Sequence, residues 1–101
     1  MAVTLFCFVL FLVKQSYIIN NLYMYVAVFN YDSTTHNVVA VDRAGYSSCT
    51  SPAGAKVYNS GNDQIKLAKG QNYFICNFSG HCASGMKVAI NAVWCVMWDK
   101  Y

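Results

Sequence analysis

Residues 72–91 read NYFICNFSGHCASGMKVAIN, the pattern of two β-strands joined by a glycine-containing loop. In the first strand Cys76 shares one face with Phe74 and Phe78, because side chains two positions apart lie on the same side of a strand. The second strand, MKVAIN at 86–91, alternates apolar and polar residues in the same way. The stretch therefore predicts neighbouring antiparallel strands with a functional loop between them.

Outward from this stretch, short runs of β-favouring residues recur about every ten residues, with turn-forming residues between them. The runs are VAVFNY (26–31), NVVAV (37–41), AKVYN (55–59), QIKLA (64–68), NYFICNF (72–78) and MKVAINAV (86–93). This spacing is typical of an all-β sandwich or barrel. The segment SSCTSPAGA at 47–55 lacks the alternation, so we expect a loop there with room for one helical turn.

Composition and charge limit the classes of function. The chain has 101 residues, the size of one domain, with 56% hydrophobic and only 11% charged residues. Such a chain is not disordered. The formal net charge of +3 comes without a run of Lys or Arg. We therefore expect no nucleic-acid binding, and a weak attraction to anionic partners.

The two ends of the chain differ in composition from its centre. The apolar run 1–13 has the length of a signal-peptide core, but no positive residue precedes it and no small-x-small cleavage pattern follows. It is also shorter than the roughly 20 residues of a membrane-spanning helix. We expect residues 1–25 to be a signal-like or foreign apolar tail, 26–93 the domain, and 94–101 a C-terminal tail. Membrane association is expected only if the N-terminal tail is retained.

The loop of the opening stretch carries residues that can bind a soft metal ion. Cys76, His81 and Met86 stand five residues apart, and the other histidine of the chain, His36, begins an upstream strand. Two imidazoles, one thiolate and a weak axial thioether are the donor set of a blue copper centre. The four residues therefore indicate a copper site, closed by the loop on one side and by His36 on the other.

The same residues are also compatible with roles that need no copper. Cys76 can be a small buried hydrophobic residue, His81 an exposed loop residue and Met86 a core residue at the start of a strand. Zinc prefers four strong ligands, so Met86 argues against it. A Cys–His nucleophile pair would leave Met86 without a role, in a chain that is short for such an enzyme. The combined spacing favours copper, and we expect a carrier that is not an enzyme.

Residues 28–92 resemble the phytocyanins, the plant branch of the cupredoxins, and within them the plantacyanin (basic blue protein) group. The matching stretches are FNYD, HNVV, GYSSC, PAGAKVY, DQIKL, YFICNF, GHC, SGMK and AINA. The resemblance implies a cupredoxin-like Greek-key β-sandwich that holds one copper ion, cycling between Cu(I) and Cu(II), on His36, Cys76, His81 and Met86. Met86 matches plantacyanins and uclacyanins, whereas stellacyanins carry Gln at that position.

The resemblance also implies features around the metal. A disulfide between Cys49 and Cys82 would hold His81 in place, and the backbone N–H of Asn37 would contact the Cys76 sulfur. Family members are secreted plant electron carriers, so we expect an extracellular monomer in the apoplast or cell wall. Its positive charge is compatible with a redox partner that is an anionic cell-wall component.

The chain departs from the family at its N-terminus. The usual first strands are absent upstream of Val28, which predicts an unpaired sheet edge unless residues 17–29 substitute as an edge strand. Cys7 and Cys95 have no evident partners. Two interpretations compete with a copper carrier. One is a non-redox structural or signalling domain of the cell wall, since some phytocyanin relatives have lost their copper ligands, and the other, because of the missing strands, is a non-functional fragment.

A second departure is Ser79, where the family usually has proline. Asn77, Phe78 and Ser79 then form an N-glycosylation sequon. The predicted strand 72–78 would bury this asparagine beside the thiolate, so the sequence favours an unoccupied sequon and leaves Asn77 a possible glycosylation site.

Overall fold

The structure, a computed structural model, describes residues 1–10 and 22–92. Within these ranges it consists of β-strands and one short helix. In chain order the elements are β1 (Ala2–Leu10), β2 (Leu22–Asn30), β3 (Val38–Val41), α1 (Arg43–Ser48), β4 (Val57–Tyr58), β5 (Asn62–Lys66), β6 (Gly70–Ile75) and β7 (Lys87–Ala92). The predicted all-β class is confirmed. Each of the six predicted strand runs overlaps a strand of the structure, with ends displaced by a few residues.

The strands form two antiparallel sheets with the orders β1-β2-β5 and β4-β3-β6-β7. Chain neighbours β2 and β3 lie in different sheets, as do β4 and β5, because the connections between them cross from one sheet to the other. Two packed sheets with such crossing connections make a β-sandwich, as the sequence predicts. The strand β6 is central in the four-stranded sheet and ends at the predicted ligand loop.

The alternating residues of the strands fill the space between the sheets. Phe29 of β2 and Phe74 of β6 meet edge to face, with ring centroids 5.1 Å apart. Other buried residues of this core come from both sheets and include Ala27, Val38, Ile65, Leu67, Ile90 and Ala92. A smaller cluster of Val39, Ile75 and Cys82 packs with Tyr46 of α1 and with Cys49. The ligand loop is thereby connected to the body of the domain through Cys82.

The N-terminal segment contributes strands to the smaller sheet. β1 pairs with β2 over its full length, from Ala2 opposite Asn30 to Leu10 opposite Leu22. Because β5 pairs with the other side of β2, the strand that the sequence suggested as an edge is central in its sheet. The new edge strand, β1, and the residue before it expose large apolar side chains at Met1, Val3, Leu5 and Phe6. The division of the chain at residues 25 and 93 stays a prediction.

Several sequence-based expectations concern parts of the termini. Cys7 lies on β1, opposite Tyr25 of β2. Cys95 and the rest of the predicted tail 94–101 lie outside the described residues. In the described ranges, no helix combines the length and the hydrophobicity that crossing a bilayer requires.

The helix α1 occupies the part of the chain that leads into the predicted loop 47–55. Asp42 caps its N-terminus, because its carboxylate accepts a hydrogen bond from the Gly45 N–H at 2.8 Å. Cys49 ends the helix in a left-handed conformation, with φ 57°. The residue types at 42–45 predict a turn, and the capping residue Asp42 is the signal in the sequence that would have indicated a helix.

Candidate metal centre

Three of the predicted ligands converge at one end of the sandwich. The Nδ1 atoms of His36 and His81 are 3.2 Å apart. The Sγ atom of Cys76 lies 3.5 Å from Nδ1 of His81 and 4.0 Å from Nδ1 of His36. Cys76 is buried and its thiol is free, whereas both histidines are half-buried. The structure therefore brings a thiol and two imidazoles together in one small triangle.

The turn before β3 places His36. The His36 N–H donates to the carbonyl oxygen of Asp32 at 2.9 Å, and the Asp32 carboxylate accepts from both the N–H and the hydroxyl of Thr34 at 2.9 and 2.6 Å. These bonds from Thr34, the hydroxyl first, hold the pKa of the Asp32 carboxyl below its ordinary value. An ionised Asp32 thus closes the turn that delivers the imidazole to the site.

Backbone hydrogen bonds connect Met86 to two of the other predicted ligands. The N–H of Cys76 donates to the carbonyl oxygen of Met86 at 3.1 Å, and the N–H of Met86 donates to the carbonyl oxygen of His81 at 3.0 Å. Gly85, with φ 102°, provides the conformation that lets the chain reverse just before Met86. Backbone hydrogen bonds therefore join Cys76, His81 and Met86, the three loop positions that the sequence analysis identified.

The disulfide that the family resemblance implied is present between Cys49 and Cys82, with Cα atoms 5.6 Å apart. Cys82 is buried against Val39 and Ile75, and it directly follows His81. The bridge therefore ties the ligand loop to the end of α1 and restrains the backbone on which His81 sits.

Lys87 makes a second connection between this region and α1. Its Nζ donates to the carbonyl oxygen of Tyr46 at 3.0 Å and lies 4.4 Å from the centre of the Tyr46 ring. Because Lys87 follows Met86 directly, the contact fixes the start of β7 against the helix. The alternation in the sequence places Lys87 on the outward face of its strand and gives no sign of this contact.

A pair of asparagines joins the segment before β3, which carries His36, to the segment after β6, which carries Cys76. The side-chain oxygen of Asn37 accepts from the N–H of Asn77 at 3.0 Å, and its amide nitrogen donates to the side-chain oxygen of Asn77 at 2.6 Å. Asn37 follows His36 and is only 8% exposed, while Asn77 follows Cys76. The pair therefore holds two ligands in register. The expected contact between the Asn37 backbone N–H and the sulfur stays a prediction.

An aromatic ring borders His81 at the surface. The rings of Phe78 and His81 are stacked, with centroids 5.9 Å apart and planes inclined by 22°. The His81 N–H also donates to the carbonyl oxygen of Phe78 at 3.0 Å. Phe78 is 36% exposed, since β6 ends at Ile75 and does not continue to residue 78 as the alternation suggested.

The triangle has the dimensions of a trigonal metal site. Metal–nitrogen and metal–sulfur bonds are about 2.0–2.3 Å long. Three ligand atoms that surround an ion in one plane at such distances are about 3.5–3.8 Å from one another. The three edges here measure 3.2, 3.5 and 4.0 Å. A thiolate with two imidazoles and a nearby thioether suits copper, whereas zinc rarely accepts a thioether. The residues present therefore fit one copper ion.

Comparison with known proteins agrees with this fold and site. Residues 25–86 match the family model of the plastocyanin-like domain. The basic blue protein of Cucumis sativus is 65% identical over 68 residues, which cover 67% of this chain and 71% of the relative. The basic blue protein of Arabidopsis thaliana is 59% identical over 68 residues, or 67% of this chain and 53% of the relative.

Solved structures give the same result. Cucumber basic protein, a blue copper protein, superposes with a TM-score of 0.66 at 65% identity, over 67% of this chain and 71% of that one. Spinach plantacyanin superposes with a TM-score of 0.65 at 63% identity, over 66% and 74% of the two chains. Fold and site thus define a cupredoxin-like β-sandwich with a metal-binding loop at one end. The chain belongs to the plastocyanin-like domain family, and the resemblance to basic blue proteins is confirmed.

Proposed function

We propose that this chain is a type 1 (blue) copper protein that carries electrons, with His36, Cys76, His81 and Met86 as the ligands of one copper ion. The observation that carries the proposal is the triangle of sulfur and two imidazole nitrogens, with edges between 3.2 and 4.0 Å. The names of the relatives, which include blue copper and basic blue proteins, support it.

The surrounding residues hold these ligands in place. Bound copper would supply the chemistry, the gain and loss of one electron between Cu(II) and Cu(I). The Cys49–Cys82 bridge restrains His81, the Asn37–Asn77 pair aligns the segments that carry His36 and Cys76, and the backbone bonds of Met86 close the loop. A site fixed in this way rearranges little between oxidation states, which favours fast electron transfer.

The half-buried His81 is the proposed route for the electron. Its ring lies beside the exposed Phe78, so a partner that contacts this rim comes close to a ligand. The net charge of +3 favours a partner with an anionic surface, such as a cell-wall component. We place the protein outside the plant cell, as a monomeric carrier and not an enzyme. Because all four ligands are present, we favour this role over a non-redox structural or signalling one.

Copper titration tests the assignment. With Cu(II), the protein should develop the intense visible absorption of a copper–thiolate bond, and Cys76→Ser should abolish it because a hydroxyl is a hard, poorly ionised donor. The matched control is Cys7→Ser, the same substitution on β1, which should leave the colour unchanged. A blue Cys76→Ser variant would contradict the ligand set. A wild-type protein that binds Cu(II) but cannot be reduced and reoxidised would contradict the carrier role.

A further inference from the structure

The sequon at residues 77–79 lies in the ligand loop and is accessible. β6 ends at Ile75, so Asn77, Phe78 and Ser79 leave the sheet, and all three are exposed. The sequence had suggested that a strand continuing to residue 78 would bury this asparagine. The early end of the strand removes that obstacle to modification.

The hydrogen bonds of Asn77 leave the atom that a glycan would use available. The Asn77 N–H donates to Asn37 Oδ1 at 3.0 Å, which fixes the orientation of the Asn37 amide. Asn37 must then present its NH₂ group to Asn77 Oδ1, at 2.6 Å. Asn77 Nδ2 consequently points elsewhere, and its contact in the structure is a long one of 3.4 Å to the Ser51 hydroxyl.

N-glycosylation is compatible with this arrangement. A glycan attaches to Nδ2, and the modified amide keeps its oxygen and one N–H. The bond between Asn37 and Asn77 Oδ1 can therefore persist in the glycosylated protein, with the segments that carry His36 and Cys76 still aligned. Only the long contact to Ser51 would be exchanged for the sugar.

We propose that Asn77 carries an N-linked glycan that shields the electron-exchange face of the metal site. In the modification, a bond forms between Asn77 Nδ2 and C1 of the first sugar, and the bond between that C1 and the pyrophosphate oxygen of a lipid-linked oligosaccharide donor breaks. The lipid pyrophosphate leaves, and one Nδ2 proton passes to a base of the transferase. The proposal rests on the proposed function, because a shielding effect requires an electron carrier outside the cell.

The location of Asn77 accounts for the shielding. A surface cavity of about 240 Å³ lies beside it, lined by Cys76, Phe78, Ser79 and Cys82 among others. The first sugar would sit at the rim of this cavity, next to the ring that stacks on His81. A bulky hydrophilic group there would hinder a protein-sized partner while leaving every ligand atom in place. The glycan should therefore slow protein–protein electron exchange without changing the copper spectrum.

Intact mass tests the modification. The full chain is secreted behind an added signal sequence from a host that attaches high-mannose glycans, and is measured before and after an endoglycosidase that leaves one N-acetylglucosamine. Wild type should show a mass excess that shrinks to one sugar, and Ser79→Thr should keep it. Ser79→Ala is the matched control: it destroys the sequon but retains Asn77 and its bonds to Asn37. A wild-type protein without sugar would overturn the proposal.

Electron self-exchange, measured by NMR line broadening in mixtures of the two oxidation states, tests the shielding. Glycosylated wild type should exchange several-fold more slowly than Ser79→Ala, with endoglycosidase restoring most of the rate. Reduction by ascorbate, a small reagent, should be the same for both. Equal self-exchange rates would overturn the shielding. A glycosylated protein that stays colourless with Cu(II) would instead contradict the proposed function, so the two failures are distinguishable.

Discussion

The Nδ1 atoms of His36 and His81 lie 3.2 Å apart, although 45 positions separate the two residues in the chain. At this distance at least one of the two nitrogens must act as a hydrogen-bond acceptor, since two N–H groups cannot point at each other. The same two nitrogens lie 4.0 and 3.5 Å from the Cys76 sulfur, so the triangle contains at least one imidazole lone pair that a metal ion can use. Substitutions of the residues around the two rings test how their positions are maintained.

Removal of the disulfide should weaken both the fold and the site. In the double variant Cys49→Ser/Cys82→Ser, the loss of a native bridge should lower the free energy of unfolding by about 2–5 kcal/mol. Copper affinity should fall as well, because the bridge ends beside His81. Thermal unfolding with and without copper measures both effects. Unchanged melting temperatures would show that the bridge restrains nothing, and peptide mapping of unreduced protein that found Cys76 linked to Cys82 would contradict the assigned pairing.

Loss of the Asn37 side chain should loosen the contact between the segments that carry His36 and Cys76, next to β3 and β6. Asn37→Ala removes the partners of the Asn77 N–H and side-chain oxygen, at a cost of about 1–3 kcal/mol in the free energy of unfolding. The visible absorption band of the copper form should shift or weaken, since both neighbouring ligands gain freedom. Asn59→Ala, at an exposed loop position, is the control. Equal spectra and stabilities for the two variants would exclude a positioning role for Asn37.

Because of Tyr31, the free energy of unfolding should fall at alkaline pH. Its hydroxyl donates to the Asp63 carboxylate and lies 3.1 Å from the Tyr58 carbonyl oxygen, and burial together with the bond to Asp63 raises its pKa above the ordinary 10.0. A raised folded-state pKa gives stability that is fully present below the unfolded-state pKa and is lost as the pH rises through the folded-state value.

Tyr31→Phe tests this dependence. The free-energy difference between wild type and the variant should be constant near neutral pH and should shrink once the pH exceeds about 10. Denaturant unfolding over this range measures it, and the comparison cancels the titration of groups that both proteins share. A difference that stays constant at high pH would refute the proposed coupling between Tyr31 and Asp63.

Substitution of Phe78 should change the reduction potential. Phe78→Leu removes the ring stacked on His81 and admits water to that side of the site, which favours the more highly charged Cu(II) form. The potential measured by voltammetry should therefore fall. Phe6→Leu, an equally conservative change at an exposed position on the other sheet, should leave it unchanged. An unaltered or higher potential in Phe78→Leu would contradict the expected effect.

The sequence predicts the parts of this structure that depend on local patterns. Alternation located the strands, because it reports which face of a strand is buried. The spacing of Cys76, His81 and Met86 located the loop, because a strand–loop–strand unit returns its two ends to adjacent positions.

What the sequence left open depends on long-range contacts. Apart from Thr4, the run at residues 1–13 is apolar, so it carries no period that would identify β1 or its pairing with β2. The Asn37–Asn77 pair joins residues 40 positions apart and has no local signature. The end of β6 at Ile75 is likewise not visible in the sequence, because Asn77 and Phe78 continue the alternation. The turn at residues 78–81, closed by the bond from the His81 N–H to the Phe78 carbonyl oxygen, leads the chain away from the sheet.

The burial of Cys76 has a consequence for the order in which the protein matures. In an unfolded chain, Cys76 and Cys82 are close neighbours in sequence, and a short loop closes at lower entropic cost than the 33-residue separation between Cys49 and Cys82. Oxidation ahead of folding would therefore favour the wrong pair and consume a ligand. In the folded chain Cys76 is 1% exposed, and inaccessible thiols exchange slowly. Folding ahead of oxidation would therefore favour the Cys49–Cys82 bridge and leave the Cys76 thiol free for the proposed copper site.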